Sequence, residues 1–140
     1  MAELKVVARY RDGRVVKGGT QNFWPEKSRF HITPIGGAEG GPLELAMRDL
    51  KAVFVVRSFE GDAGRTERKL PQAGEALRGA PLRVRFIDGE TICGTTLNRD
   101  PAASGFYLFP FDPTSNNLRV FVVNEAVSGV EEYKTNAMSY

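Results

Sequence analysis

The sequence predicts an all-β protein built as a tandem pair of small five-stranded barrels. The first observation is a repeat, because the stretch around Asp12-Gly13 returns 76 positions later around Asp88-Gly89. The second is the alternation of apolar and polar residues in short runs, which is typical of half-buried strands. The third is that the Asp-Gly pair, a strong hairpin signal, directly follows the first alternating run in both copies.

The repeat extends over positions 9–34 and 85–110. Ten positions are identical: Arg9/Arg85, Asp12/Asp88, Gly13/Gly89, Gly18/Gly94, Thr20/Thr96, Asn22/Asn98, Pro25/Pro101, Ser28/Ser104, Phe30/Phe106 and Pro34/Pro110. Each copy with its remaining strands is a unit of about 55 residues, which is marginal alone because it buries too small a fraction of its surface. We therefore expect the two copies to pack on each other.

The first two strands of each copy form the predicted hairpin. Their inward-facing residues keep the same phase in both copies: Val6, Ala8, Tyr10 and Leu82, Val84, Phe86. Glycine at the Asp-Gly turn accepts positive φ without cost. Gly18 and Gly94 lie inside the second strand, where glycine indicates a bulge or a sharp bend of the kind that a small barrel needs.

The remaining elements follow in the same order in both copies. A loop with Pro25 or Pro101 leads to a third strand at 30–33 or 106–109, and after a divergent loop the spacing becomes 77. A fourth strand, a helical turn at 48–50 or 125–127 and a fifth strand at 52–56 or 130–133 complete the unit. The predicted domains are a first barrel at 1–56, a charged connector at 57–80, a second barrel at 81–134 and a flexible tail at 135–140.

Composition limits the classes of partner and site. The 19 Lys and Arg against 17 Asp and Glu give a formal charge of +2, which is too small to indicate nucleic acid by itself. Cys93 is the only cysteine, so we expect neither an internal disulfide nor a cysteine-rich metal site. We predict no metal, no cofactor and no membrane association, and a cytoplasmic location.

The fragment from Val84 to Gly94, which has the form Val-x-Phe-x-Asp-Gly-x-x-x-x-Gly, resembles the opening of an Sm-fold protein, and the first copy is similar from Ala8 to Gly18. The resemblance implies a small Sm-like or SH3-type barrel in each copy. The Sm motifs for RNA binding have no residue-by-residue counterpart, because Thr-x-Asn and then proline follow the glycine. Sm-like barrels often form rings, whereas here two fused copies could make that contact within one chain.

The chain as a whole resembles an uncharacterised bacterial family. The resemblance lies in Leu50 to Gly61 and in Phe111 to Asn117. Members of that family are often found beside PilZ or other signalling domains, which implies a role in signalling or scaffolding. The cyclic-di-GMP pattern of PilZ domains is absent, so nucleotide binding is not predicted.

No residue pattern predicts catalysis, and we expect the protein not to be an enzyme. His31 lacks an evident catalytic partner, Cys93 lacks an evident activating neighbour, and Asp12 and Asp88 are explained by turn chemistry. The candidates for binding are therefore non-catalytic residues in loops and on the third strands: Phe23, Trp24, Arg29, His31, Asn98, Arg99 and Tyr107.

Some of these candidates, together with Asn22 and the loop at 112–117, allow both a structural and a binding interpretation. Phe23-Trp24 aligns with Arg99-Asp100, so the barrel does not require aromatics there, and Trp24 is either an exposed contact residue or packed on the other copy or the connector. The repeated Asn22 and Asn98 either cap a turn or present an amide to a ligand. The loop at 112–117, which has no equal in the first copy, is either a plain turn or a recognition loop.

The favoured function is an interaction or scaffold module of a bacterial regulatory system that binds a protein partner. The alternative is an Sm-like protein that binds RNA or single-stranded DNA, because small barrels stack bases on aromatics and Arg9, Arg11, Arg83 and Arg85 recur on one strand face. The partner and the oligomeric state are not predicted.

Overall fold

The computed structural model describes residues 3–35, 41–60, 79–112 and 114–132. These residues form β-strands and two short 3₁₀ turns, so the prediction of an all-β protein is confirmed. Most of the predicted connector at 57–80, the whole of the tail at 135–140 and most of the glycine-rich run at 36–41 lie outside the described residues.

The strands follow one another in the same order in the two halves of the chain. The first half contains β1 (Leu4–Tyr10), β2 (Val15–Thr20), β3 (Arg29–Pro34), β4 (Leu43–Ala46), a 3₁₀ turn (Met47–Asp49) and β5 (Leu50–Val56). The second half contains β6 (Ala80–Phe86), β7 (Thr91–Thr96), β8 (Gly105–Leu108), β9 (Asn117–Val123), a 3₁₀ turn (Asn124–Ala126) and β10 (Val127–Glu132).

The strands form a curled seven-stranded sheet in the order β4-β3-β2-β1-β5-β9-β8 and a three-stranded sheet in the order β10-β6-β7. Thr95 and Phe109 add a single bridge between β7 and the residue after β8. In each half the first strand therefore pairs with both the second and the fifth strand of that half. The paired neighbours are antiparallel throughout.

The two halves are joined by strand pairing between β5 and β9. Ala52 lies opposite Val122 and Phe54 opposite Val120. Alternate residues of these two strands enter different cores: Val53, Val55, Phe121 and Val123 pack in the first core, and Ala52, Val120 and Val122 in the second. Because both faces of β5 and β9 are covered, their sequences are almost continuously apolar.

The details of the first hairpin in each half agree with the sequence prediction. Phe86 is buried and Tyr10 is partly buried against the first core. Gly13 and Gly89 have positive φ of 99° and 93°. Asp12 and Asp88 each accept a hydrogen bond of 3.0 Å from the backbone N–H two residues on.

Gly18 and Gly94 allow the second strand to approach the third. A Cβ at Gly18 would collide with the carbonyl oxygen of Thr33, and one at Gly94 would collide with the carbonyl oxygen of Phe109. The glycines predicted to mark a bend are thus required by close backbone contact.

A buried lysine forms a second link between the halves, which we call the Lys51 lock. Lys51 on β5 is 7% exposed, and its Nζ lies 2.7 Å from Asp88 Oδ2, in contact with Glu90 Oε1 and 4.7 Å from the centre of the Phe86 ring. Burial alone would lower the pKa of Lys51, but hydrogen bonds to Asp88 and Glu90 outweigh it and raise the pKa. The lysine hydrogen bond in turn lowers the pKa of Asp88.

The loop at 112–117 holds the end of the first half against the second. The Asn116 side chain accepts the Ser58 N–H at 3.1 Å and donates to the Ser58 carbonyl at 3.0 Å. Arg57 Nε donates to the Ser115 carbonyl at 3.0 Å, and Ser115 is buried. In the described residues this loop has a structural function as an anchor for the chain that leaves β5.

Candidate functional site

The loop between β2 and β3, residues 23–28, lies at the junction of the two halves. Phe23 is only 7% exposed, and its ring meets the rings of Phe30 and Phe121 edge-on at 4.8 Å and 5.8 Å. The sequence predicts Phe23 as a binding residue, but the structure places it in the first core, where it joins the halves. The position is explained by the apolar surface that Phe121 of β9 offers to the first core.

Trp24, the next residue, points outward and is 44% exposed. The loop is fixed on both sides of it, because Lys27 N–H donates to the Trp24 carbonyl at 2.8 Å and Ser104 Oγ donates to the Pro25 carbonyl at 2.9 Å. Of the two readings of Trp24, the structure therefore favours the exposed one.

A groove of about 410 Å³ runs beside this loop, and we call it the junction groove. Pro25 and Glu26 of the first half form one wall, and Leu97 and Asn98 of the second half form the other. Its lining also includes Thr96, Gly105, Phe106, Tyr107, Phe109 and Phe121. Leu97 is 62% exposed, so the groove presents apolar surface to solvent.

The two repeated asparagines have different surroundings. Asn22 Oδ1 accepts the His31 N–H at 3.0 Å, so this amide is tied to β3. Asn98 occupies the matching position beside Tyr107, but its side-chain amide makes no hydrogen bond to any residue that the structure describes. Thr20 and Thr96, by contrast, act alike, because their hydroxyls donate to the carbonyls of His31 and Tyr107 at 2.7 Å and 2.9 Å.

The Tyr107 and Phe106 rings of β8 have aromatic or cationic neighbours. The Tyr107 ring lies 5.3 Å from that of Phe121 and 6.4 Å from that of Phe109, and the Arg119 guanidinium lies 5.4 Å from its centre. Arg99 is exposed, and its guanidinium lies 5.9 Å from the centre of the Phe106 ring. Of the predicted residues, Asn98 and Tyr107 line the groove, whereas Arg99 lies beside the lining residue Phe106 without lining the groove itself.

Arg29 and His31 belong to a separate polar cluster on β3 and β4. Arg29 Nη1 lies 3.1 Å from Glu44 Oε1, and His31 Nε2 lies 3.7 Å from Glu44 Oε2. His31 Nδ1 also lies 3.2 Å from Asn22 Nδ2. Neither Arg29 nor His31 lines the junction groove.

A second cleft, of about 650 Å³, lies on the other side of the loop and was not predicted. It is formed by the β2–β3 and β7–β8 loops together with both 3₁₀ turns. Its charged lining residues are Glu26, Lys27, Arg29, Arg48 and Glu125. The repeated Ser28 and Ser104 were the sequence signal for this arrangement, because their carbonyls accept the Met47 and Asn124 N–H groups at 2.8 Å and 2.9 Å.

The described residues offer neither a metal-binding cluster nor a membrane-spanning helix. Among these residues no three or more His, Cys, Asp and Glu side chains come together in a way that could hold a metal ion. No helix in the described ranges has the length and apolar character that crossing a membrane requires.

The fold and the site define an all-β protein in which two strand-joined halves leave an open groove at their junction. The chain belongs to DUF6982, a family of unknown function whose model matches residues 2–134. No curated protein and no solved structure matches the chain.

Proposed function

We propose that the chain is a tandem pair of Sm-like or SH3-type small barrels that acts as a non-enzymatic interaction module in a bacterial cytoplasmic regulatory system. It binds an extended segment of a protein partner in the junction groove. The repeated strand order and the close approach of the second strand to the third at Gly18 and Gly94 support the barrel description. The mixed lining of the groove, with apolar, amide and charged groups, supports a protein ligand.

The observation that carries the proposal is the side-chain amide of Asn98 beside exposed Leu97, because this amide makes no hydrogen bond within the part of the chain that the structure describes. An amide offers both a donor and an acceptor, which is what the backbone of an extended peptide needs. Aromatic-lined grooves bind such segments because apolar side chains fill the groove while polar groups bond the backbone. Leu97 and Tyr107 line the same groove as Asn98 and supply apolar contact there.

The charges favour protein over nucleic acid. Three of the four arginines that suggested a nucleic-acid face have partners within the chain. Arg9 lies over the Phe54 ring at 5.3 Å, Arg11 lies 3.5 Å from Glu125, and Arg83 lies 2.6 Å from Glu131. Arginines held in this way are less available to phosphates, and Glu26 adds negative charge to the groove wall.

The test is a selection of random peptides from a display library on the wild-type chain, followed by affinity measurements with the selected peptides. We expect Asn98→Ala and Leu97→Ser each to weaken binding about five- to thirtyfold, since each removes an interaction of about 1–2 kcal/mol. Ile87→Ser is the matched control, because Ile87 is 63% exposed but lies outside the groove. It should bind like the wild type.

Amide chemical-shift mapping with a selected peptide locates the contact. Shifts at Asn98, Tyr107 and the loop 24–26 support the proposal, and shifts confined to another surface contradict it. Labelled single-stranded RNA and DNA form the second arm. Oligonucleotide binding that weakens steeply with salt, without any peptide enrichment, would favour the alternative function.

A further inference from the structure

The joint between β5 and β9 provides a template for how one half docks on another. By the 77-position spacing of the repeat, β4 corresponds to β9 and β10 corresponds to β5. Among the described residues, β4 pairs only with β3, and β10 pairs only with β6. In principle, β4 of one copy could therefore pair with β10 of a second copy, in the way that β9 pairs with β5 within the chain. Such head-to-tail pairing could continue from copy to copy.

The residues that form the inner joint are replaced at the outer strands. Inside, Phe54 lies opposite Val120, and Val53 lies opposite Phe121. The replacements, inner residue first, are Phe54/Glu131, Val55/Glu132, Phe121/Glu44 and Arg119/Pro42.

These replacements oppose pairing between copies. In the register of the inner joint, Glu44 and Glu132 would lie on the same face of neighbouring strands, where like charges repel. Burying a carboxylate at the joint is costly without a partner, and the present partners of Glu44 and Glu131 are Arg29 at 3.1 Å and Arg83 at 2.6 Å. Pro42 lacks a backbone N–H for a strand ladder.

The Lys51 lock is a second feature that the outer strands lack. Lys51 corresponds to Ser128, and its acceptors Asp88 and Glu90 correspond to Asp12 and Arg14. Asp12 is already paired with Arg14 Nε at 2.9 Å. An outer joint would therefore have neither the apolar strand contact nor the ion pair that link the two halves within the chain.

We propose that the chain is a closed pair of halves, with one strand-to-strand joint and two outer edges that are protected against addition of a second copy. Charged residues on edge strands are a common protection against edge-to-edge pairing. The same reasoning identifies the substitutions that would remove this protection.

The wild-type mass is measured by light scattering across a wide concentration range, together with two variants: Glu44→Phe and Glu131→Phe/Glu132→Val. The wild type should be a monomer. Each variant has one apolar edge, and the edge that would pair with it is apolar only in the other variant. An equimolar mixture should therefore form a one-to-one dimer. Glu60→Phe replaces Glu44→Phe in the control mixture, since Glu60 is an exposed residue outside the strands and outside the junction groove.

Circular dichroism verifies that each variant is folded, and Glu131→Phe alone serves if the double substitution unfolds. A wild-type dimer or higher oligomer overturns the proposal. So does a mixture of folded variants that stays monomeric, because the charges would then not be what prevents pairing. A dimer in the Glu60→Phe mixture would show that any added apolar surface causes association, and it would also count against the proposal.

Discussion

The Lys51 lock leads to a prediction in which the two sides of one ion pair respond differently to substitution. Lys51 is 7% exposed, whereas the side chains of Asp88 and Glu90 are 51% and 44% exposed. Removing the carboxylates in Asp88→Asn/Glu90→Gln leaves a buried ammonium with weaker acceptors. Removing the lysine in Lys51→Met leaves two carboxylates that water can solvate.

The expected magnitudes follow from this asymmetry. A hydrogen bond to a charged group contributes about 1.5–3 kcal/mol, and solvent screening of the half-exposed carboxylates reduces this to about 1 kcal/mol each. We expect Asp88→Asn/Glu90→Gln to lower the free energy of unfolding by about 2 kcal/mol. Lys51→Met should change it by less than about 1 kcal/mol, because an apolar side chain of similar length replaces a buried charge.

The assay is urea unfolding at neutral pH, followed by circular dichroism and fluorescence. Asp12→Asn is the matched control, since Asp12 occupies the same turn in the first half but pairs with exposed Arg14, and it should leave the urea midpoint nearly unchanged. The reasoning is refuted if Lys51→Met costs more than the double carboxylate variant. It is also refuted if Asp12→Asn costs as much as Asp88→Asn.

Four further predictions concern pH, the loop at 23–28, the glycines Gly18 and Gly94, and the loop at 112–117. The pKa of Asp88 is lowered in the folded protein, so its contribution to the free energy of unfolding is present above the ordinary pKa of 3.8 and is lost as pH falls through the lower folded value. A difference in urea midpoint between wild type and Asp88→Asn that persists at strongly acid pH would contradict this. Phe23→Ala should cost about 3–5 kcal/mol in urea unfolding and Trp24→Ala less than about 0.5 kcal/mol, and equal costs would mean that both rings are buried. Gly18→Ala and Gly94→Ala should each cost about 1–3 kcal/mol through backbone collision, whereas unchanged thermal midpoints would show that β2 and β7 do not approach their neighbours as described. Asn116→Ala should cost about 1–2 kcal/mol and speed hydrogen exchange of the Ser58 amide, and unchanged exchange would show that the two are not bonded.

Local chemistry in the sequence was sufficient to predict the hairpins. The phase of Val84 and Phe86 and the Asp-Gly turns each depend on a few neighbouring residues. The 3₁₀ turns before β5 and β10 were also predicted as helical turns. These features recur in both copies because the same local constraints act twice.

Contacts between the halves could not be predicted in the same way. The apolar run of β5 indicated a strand, but only the pairing with β9 explains why both of its faces are apolar and why Lys51 is tolerated among them. The same limitation applies to Phe23, which follows no strand pattern and is buried because Phe121 of the other half covers it.

The candidate site was predicted only in part. Asn22 and Asn98 look equivalent in the sequence, yet one amide bonds β3 and the other faces a groove. The difference depends on the residues opposite, His31 in one half and Tyr107 in the other, and on the loop 24–26 that crosses from the first half. Arg29 and His31 are near Trp24 in sequence, which suggests one site. In the structure their side chains lie beside the Glu44 carboxylate, outside the junction groove.

The groove, the Lys51 lock and the protected edges all depend on the joint between β5 and β9, so contacts across this joint are the decisive observation. The measurement is the set of nuclear Overhauser effects between backbone protons of the wild-type chain in solution. We expect cross-peaks that pair Ala52 with Val122 and Phe54 with Val120. If these cross-peaks are absent and β5 or β9 shows contacts to a different strand, the described junction is wrong.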